Sequence, residues 1–431
     1  MTTRRTLLRV AAGTAGVAAL GACSRRTASR PASEPVSKAT AELLFVTTAS
    51  GLMVLDATTA RPTLPAPAAL ATPNWGWVVA ATADKAGTRV VTRDAHSGRV
   101  VSGGVVRGEL VPRVVSTDGR LVALATPAGS TARAPYPAGR TQTTIAVIDS
   151  GGERARLTLA GNLEPEAFSA DGRLLFALDY LPPAAPDRYR VRSIDLATGQ
   201  AAPLFTKLKV PVPAEETMRG EGRQAVYDAD RKMLFTLYTH QPDHLHTRDL
   251  VAAPGARDNK PHVHAFVHSL HLEQGWAYCI DLPSPFGEGP AAAHAITIAP
   301  HGQWLYVLDA STGKVARVNP DVNELAVAQV HQVTAPGLTG AAAATTTADG
   351  GLVFGAGKQV VAVPIAAASN APKRELTVPT AVRGVAAGAG STVYVGQDDA
   401  VICYDLATGG QLRRIAVPGL VELRHVTPAL A

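Results

Sequence analysis

Apolar residues in this chain fall in short runs, and the runs return in one phrase. Leu174-Leu175-Phe176-Ala177-Leu178-Asp179 is followed by Val191-Arg192-Ser193-Ile194-Asp195-Leu196-Ala197-Thr198-Gly199. Leu305-Tyr306-Val307-Leu308-Asp309 is followed by Val315-Ala316-Arg317-Val318, and Val393-Tyr394-Val395 by Val401-Ile402-Cys403-Tyr404-Asp405-Leu406-Ala407-Thr408-Gly409. Helical periodicity is almost absent, and runs separated by turn residues predict an all-β protein. Repeated strand-turn-strand units cannot bury their apolar faces alone, so they must stack on one another.

The turns divide the chain into units. Asp118-Gly119, Asp171-Gly172, His301-Gly302 and Asp349-Gly350 predict tight hairpins that need a positive φ, with Asp230-Arg231 and Gly390-Ser391 in equivalent places. Second strands are expected to begin near Leu43, Thr88, Arg120, Arg173, Lys232, Gln303, Gly351 and Thr392. That predicts a β-propeller of eight four-stranded blades. The interval from Thr88 to Arg120 is short, so the second unit reads as incomplete and seven blades is the alternative. The first unit opens at Leu43-Leu44-Phe45-Val46, already a second strand, and the chain finishes with Val421-Glu422-Leu423-Arg424-His425-Val426. Pairing this C-terminal strand with the first blade would close the ring and hide an open sheet edge. A linear solenoid would need shorter, more regular repeats.

The pattern Asp-Gly, then Leu-Tyr-Val, then Val-x-x-Ile-Asp-x-Ala-Thr-Gly resembles the YVTN/YncE-like family of bacterial β-propellers over most of residues 41–431. The resemblance implies a periplasmic or surface protein that binds a protein, peptide or nucleic acid; only a minority of propellers are enzymes. No unit spells Tyr-Val-Thr-Asn, and the third and fifth units carry long insertions near 126–143 and 239–267.

Residues 1–22 read as an export signal: Arg4-Arg5, an apolar stretch from Val10 to Leu20, then small residues. The stretch is too short to span a bilayer, which takes roughly 20 apolar residues. The twin arginine resembles a Tat signal, and Leu20-Gly21-Ala22-Cys23 resembles a lipobox, which implies lipidation at Cys23 and anchoring to the outer face of the cytoplasmic membrane. Residues 23–40 read as the lipidated cysteine and a flexible tether. Residues 1–40 hold seven of the 41 basic residues and one of the 35 acidic ones, so the remainder carries 34 of each. The high isoelectric point thus belongs to the leader and tether, and the propeller shows no basic excess to suggest nucleic acid. A monomer is expected.

Chemistry concentrates in the fifth unit. Seven of the twelve histidines lie between His240 and His271. Extended backbone would place His262, His264 and His268 on one face, with His244 and His246 facing them across a loop hairpin. Imidazoles so spaced suit zinc, copper or nickel. The candidate metal ligands are therefore His244, His246, His262 and His264. The candidate recognition loop is His240, His244, His246, Arg248, His262, His264 and His268, since a long loop on a rigid scaffold carries recognition. No motif implies another cofactor, and no nucleophile elbow, phosphate loop or dinucleotide fingerprint is present. A propeller-type lyase, lactonase or dehydrogenase, or a metal-binding lipoprotein, is the alternative to a binding module without turnover.

Other residues read as scaffold. The inner strands of the later units, such as Ala341-Ala342-Ala343-Ala344, predict an axial channel lined by small apolar residues. Cys279 and Cys403 read as equivalent buried thiols in blades too far apart to bridge. Asp56, Asp149, Asp195, Asp281 and Asp405 are expected to accept hydrogen bonds from the turns that follow them. Trp75, Trp77, Trp276 and Trp304 read as strand residues packing between sheets, and Tyr136 as a loop-tip residue.

Overall fold

The computed structural model describes residues 42–64, 67–127, 136–206, 217–218, 221–239, 264–364 and 373–427. These form eight sheets arranged about an axis, an eight-bladed β-propeller. Blade six shows the regular plan. From the axis outward it runs His294–Ile298, Leu305–Asp309, Lys314–Asn319 and Ala326–Gln332, every pair antiparallel.

The second strand of each blade explains the returning phrase. Leu43 and Phe45 pack with Val78 and Ala95 of blade two, while Leu44 and Val46 pack with Tyr394 and Val401 of blade eight. Likewise Leu305 and Val307 join the core toward blade five, and Tyr306 and Leu308 the core toward blade seven. Both faces of the strand are buried, so its residues read as a continuous apolar run and not as an alternation. One apolar cluster fills each of the eight gaps between blades. Each fully buried Leu or Phe contributes about 1.5–3 kcal/mol.

The ring closes as expected. Leu420–Thr427 is the innermost strand of blade one and pairs antiparallel with Leu43–Thr48, Leu44 opposite Val426. A second tie crosses the same seam. The Glu42 carboxylate accepts hydrogen bonds from the Tyr394 hydroxyl and the Ala389 amide, both at 2.6 Å.

Four expectations need correction. Blade two is complete: Leu70–Ala71, Trp77–Asp84, Gly87–Asp94 and Val100–Arg107. Its second strand begins at Trp77, so Thr88 belongs to the third. The irregular blade is the first, with three strands and an edge segment joined through Ala68 and Pro62. Blade five has five strands, because Phe205–Thr206 adds in parallel outside Trp276–Asp281. Counted from the axis, Cys279 lies on a fourth strand and Cys403 on a third, so the two are not equivalent, and neither forms a disulfide.

The Asp-Gly turns are longer than two-residue hairpins. In residues 116–121 the Ser116 hydroxyl donates to Asp118, the Gly119 amide donates to the Ser116 carbonyl, and only the glycine takes positive φ. Residues 169–174 repeat this, and Gly172 faces Leu121 of the preceding blade so closely that a Cβ would stand 2.7 Å from Leu121 Cδ1. The recurring aspartates accept turn amides as expected at Asp56, Asp149, Asp195 and Asp405. Asp281 ends a fourth strand instead.

Candidate functional site

Strand order sorts the connections onto two faces. Links from first to second and from third to fourth strand lie on one face. Links from second to third strand, and from each blade to the next, lie on the other. The first face has short turns, such as 116–121, 169–173, 196–200 and 406–410; residues 364–373 are the exception. The second receives segments 126–141, 182–187, 207–220, 240–264, 282–293 and 333–341. The flanking ends of both insertions noted in the sequence therefore lie on the same side, one on blade three and one on blade five.

An aromatic cluster sits at the root of these loops, between blades four and five. Tyr180 and Tyr189 flank the 182–187 link and meet edge to face, with centroids 5.7 Å apart. Tyr189 contacts Tyr238 at 5.3 Å, and Tyr238 contacts Phe266 at 5.2 Å. Tyr136, from the blade-three insertion, packs on Tyr180 and Tyr189 at 6.2 Å each. It is thus an anchoring residue and not a loop tip. Such contacts contribute about 0.5–1.5 kcal/mol beyond area burial.

Charged groups fasten the same region. Glu164, on the innermost strand of blade four, meets Arg113 at 2.8 Å and Arg140 at 3.2 Å. Arg140 also donates to the Leu163 carbonyl at 2.6 Å, and its backbone amide to Pro183. Asn162 donates to Ala138 and Pro183, tying blade-three and blade-four loops together. Burial, set against the pull of Glu164 and joined by repulsion from Arg113, lowers the Arg140 pKa; an arginine stays charged regardless. Asp179 is buried beside Arg190, 2.8 Å away, and Arg192, 3.7 Å away. Burial, then repulsion from Arg190, lowers the Arg192 pKa. Arg140 thus ties the blade-three insertion to blade four, Arg113 links the inner strands of blades three and four, and Asp179 with Arg190 and Arg192 joins neighbouring strands of blade four.

The inner strands are more polar than small apolar residues would make them. β-Bulges interrupt them at Arg113 in blade three, Glu166 in blade four, Arg383 in blade eight and Arg424 in blade one. A bulge re-aims a side chain that regular pleating would bury. Arg383 donates to the Leu420 carbonyl, and Arg424 pairs with Glu422 at 3.0 Å.

Of the predicted site residues, His240, His244, His246, Arg248 and His262 lie outside the described residues, as do Cys23 and the whole of 1–40. His264 immediately precedes the third strand of blade five, Ala265–His271. Gly287, at φ 83°, lies against the His264 carbonyl, and an added Cβ would stand 2.3 Å from that oxygen. His268 is buried, its imidazole edge-on to Tyr238. Four residues of extended backbone would separate the Cα atoms of these two histidines by about 13 Å. One ion cannot be ligated by both without rearrangement. His271 accepts turn amides of Glu273 and Gln274 through Nδ1. Among the described residues no three His, Cys, Asp or Glu side chains form a metal-binding set.

Sequence reading missed a second aromatic contact, on the short-turn face. Trp75 is in a turn, not a strand, at φ 60°. Its indole stacks on the His425 imidazole, with centroids 4.8 Å apart and planes 9° from parallel, and Phe45 meets Trp75 edge-on. Burial pulls the His425 pKa down to about 4, so the ring is neutral at pH 7.

No family model matches the chain, and no curated protein does. Its fold is similar to that of solved propellers. Apo AztD from Citrobacter koseri superposes with a TM-score of 0.51 at 9% identity, over 90% of this chain and 97% of that one. Sqt1 from Saccharomyces cerevisiae has a TM-score of 0.46 at 10% identity, over 81% and 84%. The periplasmic gluconolactonase PpgL from Pseudomonas aeruginosa has a TM-score of 0.42 at 18% identity, over 90% and 99%. At these identities the likeness concerns the fold alone.

Proposed function

We propose that this protein is a binding module of the YncE-like kind, exported by a Tat-type signal and held at the outer face of the cytoplasmic membrane through lipid on Cys23. Its long-loop face, over blades three to five, engages a protein or cell-envelope partner without turnover. The observation that supports this best is that both long insertions leave and re-enter the ring on one face, where an aromatic and ionic cluster packs. A rigid base with variable loops suits recognition. The ionisable groups described at that base are engaged in ion pairs between strands and with one loop, which suits positioning better than acid-base chemistry.

The test is capture from membranes with three baits: the full protein, a variant lacking 241–261, and Ala407→Glu on the short-turn face. The expected partner is retained by the full protein and by Ala407→Glu, and lost with the deletion. Equal recovery on all three baits would remove the assignment. Anchoring is checked separately, since Cys23→Ala should move the protein into the soluble fraction.

A further inference from the structure

We infer that blade two carries a second recognition site, where an extended segment of a partner protein adds as a strand beside Ala81 and Ala83. The site lies apart from the histidine-rich insertion and goes beyond the loop recognition proposed above. The innermost strand of blade two, Leu70–Ala71, is only two residues long and pairs with Val79 and Val78 alone, whereas the second strand beside it, Trp77–Asp84, has eight. The cause is the link from blade one. Ala68 exchanges two backbone hydrogen bonds with Leu52, at 2.6 and 2.9 Å, so the chain stays on blade one until Ala69 donates to the Val79 carbonyl. Beyond Val79 no strand among the described residues covers the inner edge. Thr82 and Ala83 are exposed in consequence, while the second strands of the other blades have no exposed residue.

Register fixes which groups are left over. Asp84 and Gly87 close a two-residue hairpin, so Asp84, Thr82 and Ala80 exchange hydrogen bonds with the third strand. Ala81 and Ala83 point their N–H and C=O the other way, as do Trp77 and Val79, whose carbonyls accept the Thr72 and Ala69 amides. Donors and acceptors repeated at every second residue are the pattern that another extended backbone satisfies, and strand addition at a sheet edge uses it. Beside this edge lies a cavity of about 610 Å³, between the 84–87 turn and the 108–112 link, both on the long-loop face. Ala81 faces blade three, in the core that holds Leu110. A partner side chain beside Ala81 shares that face and points toward Leu110 and Pro112, so an apolar residue fits there. Charge sets the flanks. Asp84 is taken by Arg89 at 2.7 Å and by the Ala86 amide at 3.0 Å. Lys85 and Glu109 are exposed on the two walls and form no ion pair among the described residues. The segment that fits is therefore extended, about four residues long to match 81–84, apolar at its centre, with a carboxylate for Lys85 and a cation for Glu109.

The test uses the full chain in detergent and a phage-displayed library of random short peptides. Peptides enriched on the parent, measured by fluorescence polarisation, should bind Ala83→Pro about tenfold more weakly, the worth of one or two main-chain hydrogen bonds. Proline there removes an N–H that no strand uses and is tolerated at such an edge, so the variant should melt like the parent. Ala81→Trp, which fills the cavity, should weaken binding as much. N-methylation of the peptide needs no variant: a methyl on alternate amides should abolish binding, and a methyl on the intervening amides should leave it unchanged. Deleting 241–261 should also leave it unchanged, which keeps this site distinct from the histidine-rich loop and lets either fail alone. A library that yields no enriched peptide, peptides held equally by the parent, Ala83→Pro and Ala81→Trp, or N-methylation without alternation would overturn the inference. So would a second copy of the chain on the edge, seen as a dimer in gel filtration that Ala83→Pro converts to monomer.

Discussion

The two faces of this ring are built from the same strands and differ in what joins them. On the short-turn face the joins are set by backbone chemistry: a serine or aspartate accepts the turn amides, and a left-handed glycine lets one blade lie against the next. On the long-loop face the joins are held by side chains reaching across blades, such as Arg140, Asn162 and Tyr136. A turn that closes on its own atoms has no freedom to vary. A loop fastened only at its root can change beyond that root without disturbing the fold. The structure thus separates self-closing turns from loops fastened by side chains onto opposite sides of the ring.

The largest expected effect strikes what both faces share. Ending the chain at Pro418 removes Leu420, Leu423 and Val426, each almost fully buried. At about 1.5–3 kcal/mol apiece the loss approaches the whole stability of an ordinary domain. Circular dichroism and gel filtration should find no folded monomer; a truncated protein that melts like the parent would disprove closure by this strand. Next comes a direct contest between faces. Gly172→Val on the short-turn face should cost about 1–3 kcal/mol, since valine is strained at φ 67° and meets Leu121. Deleting 241–261 should cost under about 0.5 kcal/mol in the same urea titration. If the deletion is the more damaging of the two, the division of labour is wrong.

A graded effect, felt only in acid, is a pH dependence at the seam. His425 has a folded pKa of about 4 against an ordinary 6.5, so the unfolded chain binds the extra proton between those values. Stability should be fully present above pH 6.5 and fall as the pH drops toward 4. The loss should be roughly 2 kcal/mol once the partial exposure of the ring is discounted. His425→Phe should flatten that slope while keeping the stack on Trp75; an unchanged slope would assign the titration elsewhere.

Much of the scaffold was legible because a strand buried on both faces leaves an unmistakable apolar run, and because Asp-Gly punctuates the links between first and second strands. Legibility ended where those signals were replaced. In blade two the first-to-second link is made through Trp75, a bulky residue at positive φ, while Asp84 to Gly87 joins the second and third strands; without the usual punctuation the register slipped by one strand. The histidines illustrate a different limit. Alternation puts His264 and His268 on one face, yet spacing along a strand does not show that His264 stands just before the strand or that Tyr238 meets His268. The tyrosine cluster was visible only as residues ending strands in separate units, Tyr180 and Tyr189 across one link and Tyr238 in the next blade. Their meeting depends on how blades four and five pack.

The seam has a consequence for the order of biosynthesis. The first sheet waits for its innermost strand, almost four hundred residues later, so it stays incomplete until that strand has been made. Closing so distant a contact is slow, and the unfinished edge of Leu43–Thr48 is exposed to wrong partners meanwhile. A polypeptide of this design gains from being kept apart from other chains until the circle is sealed.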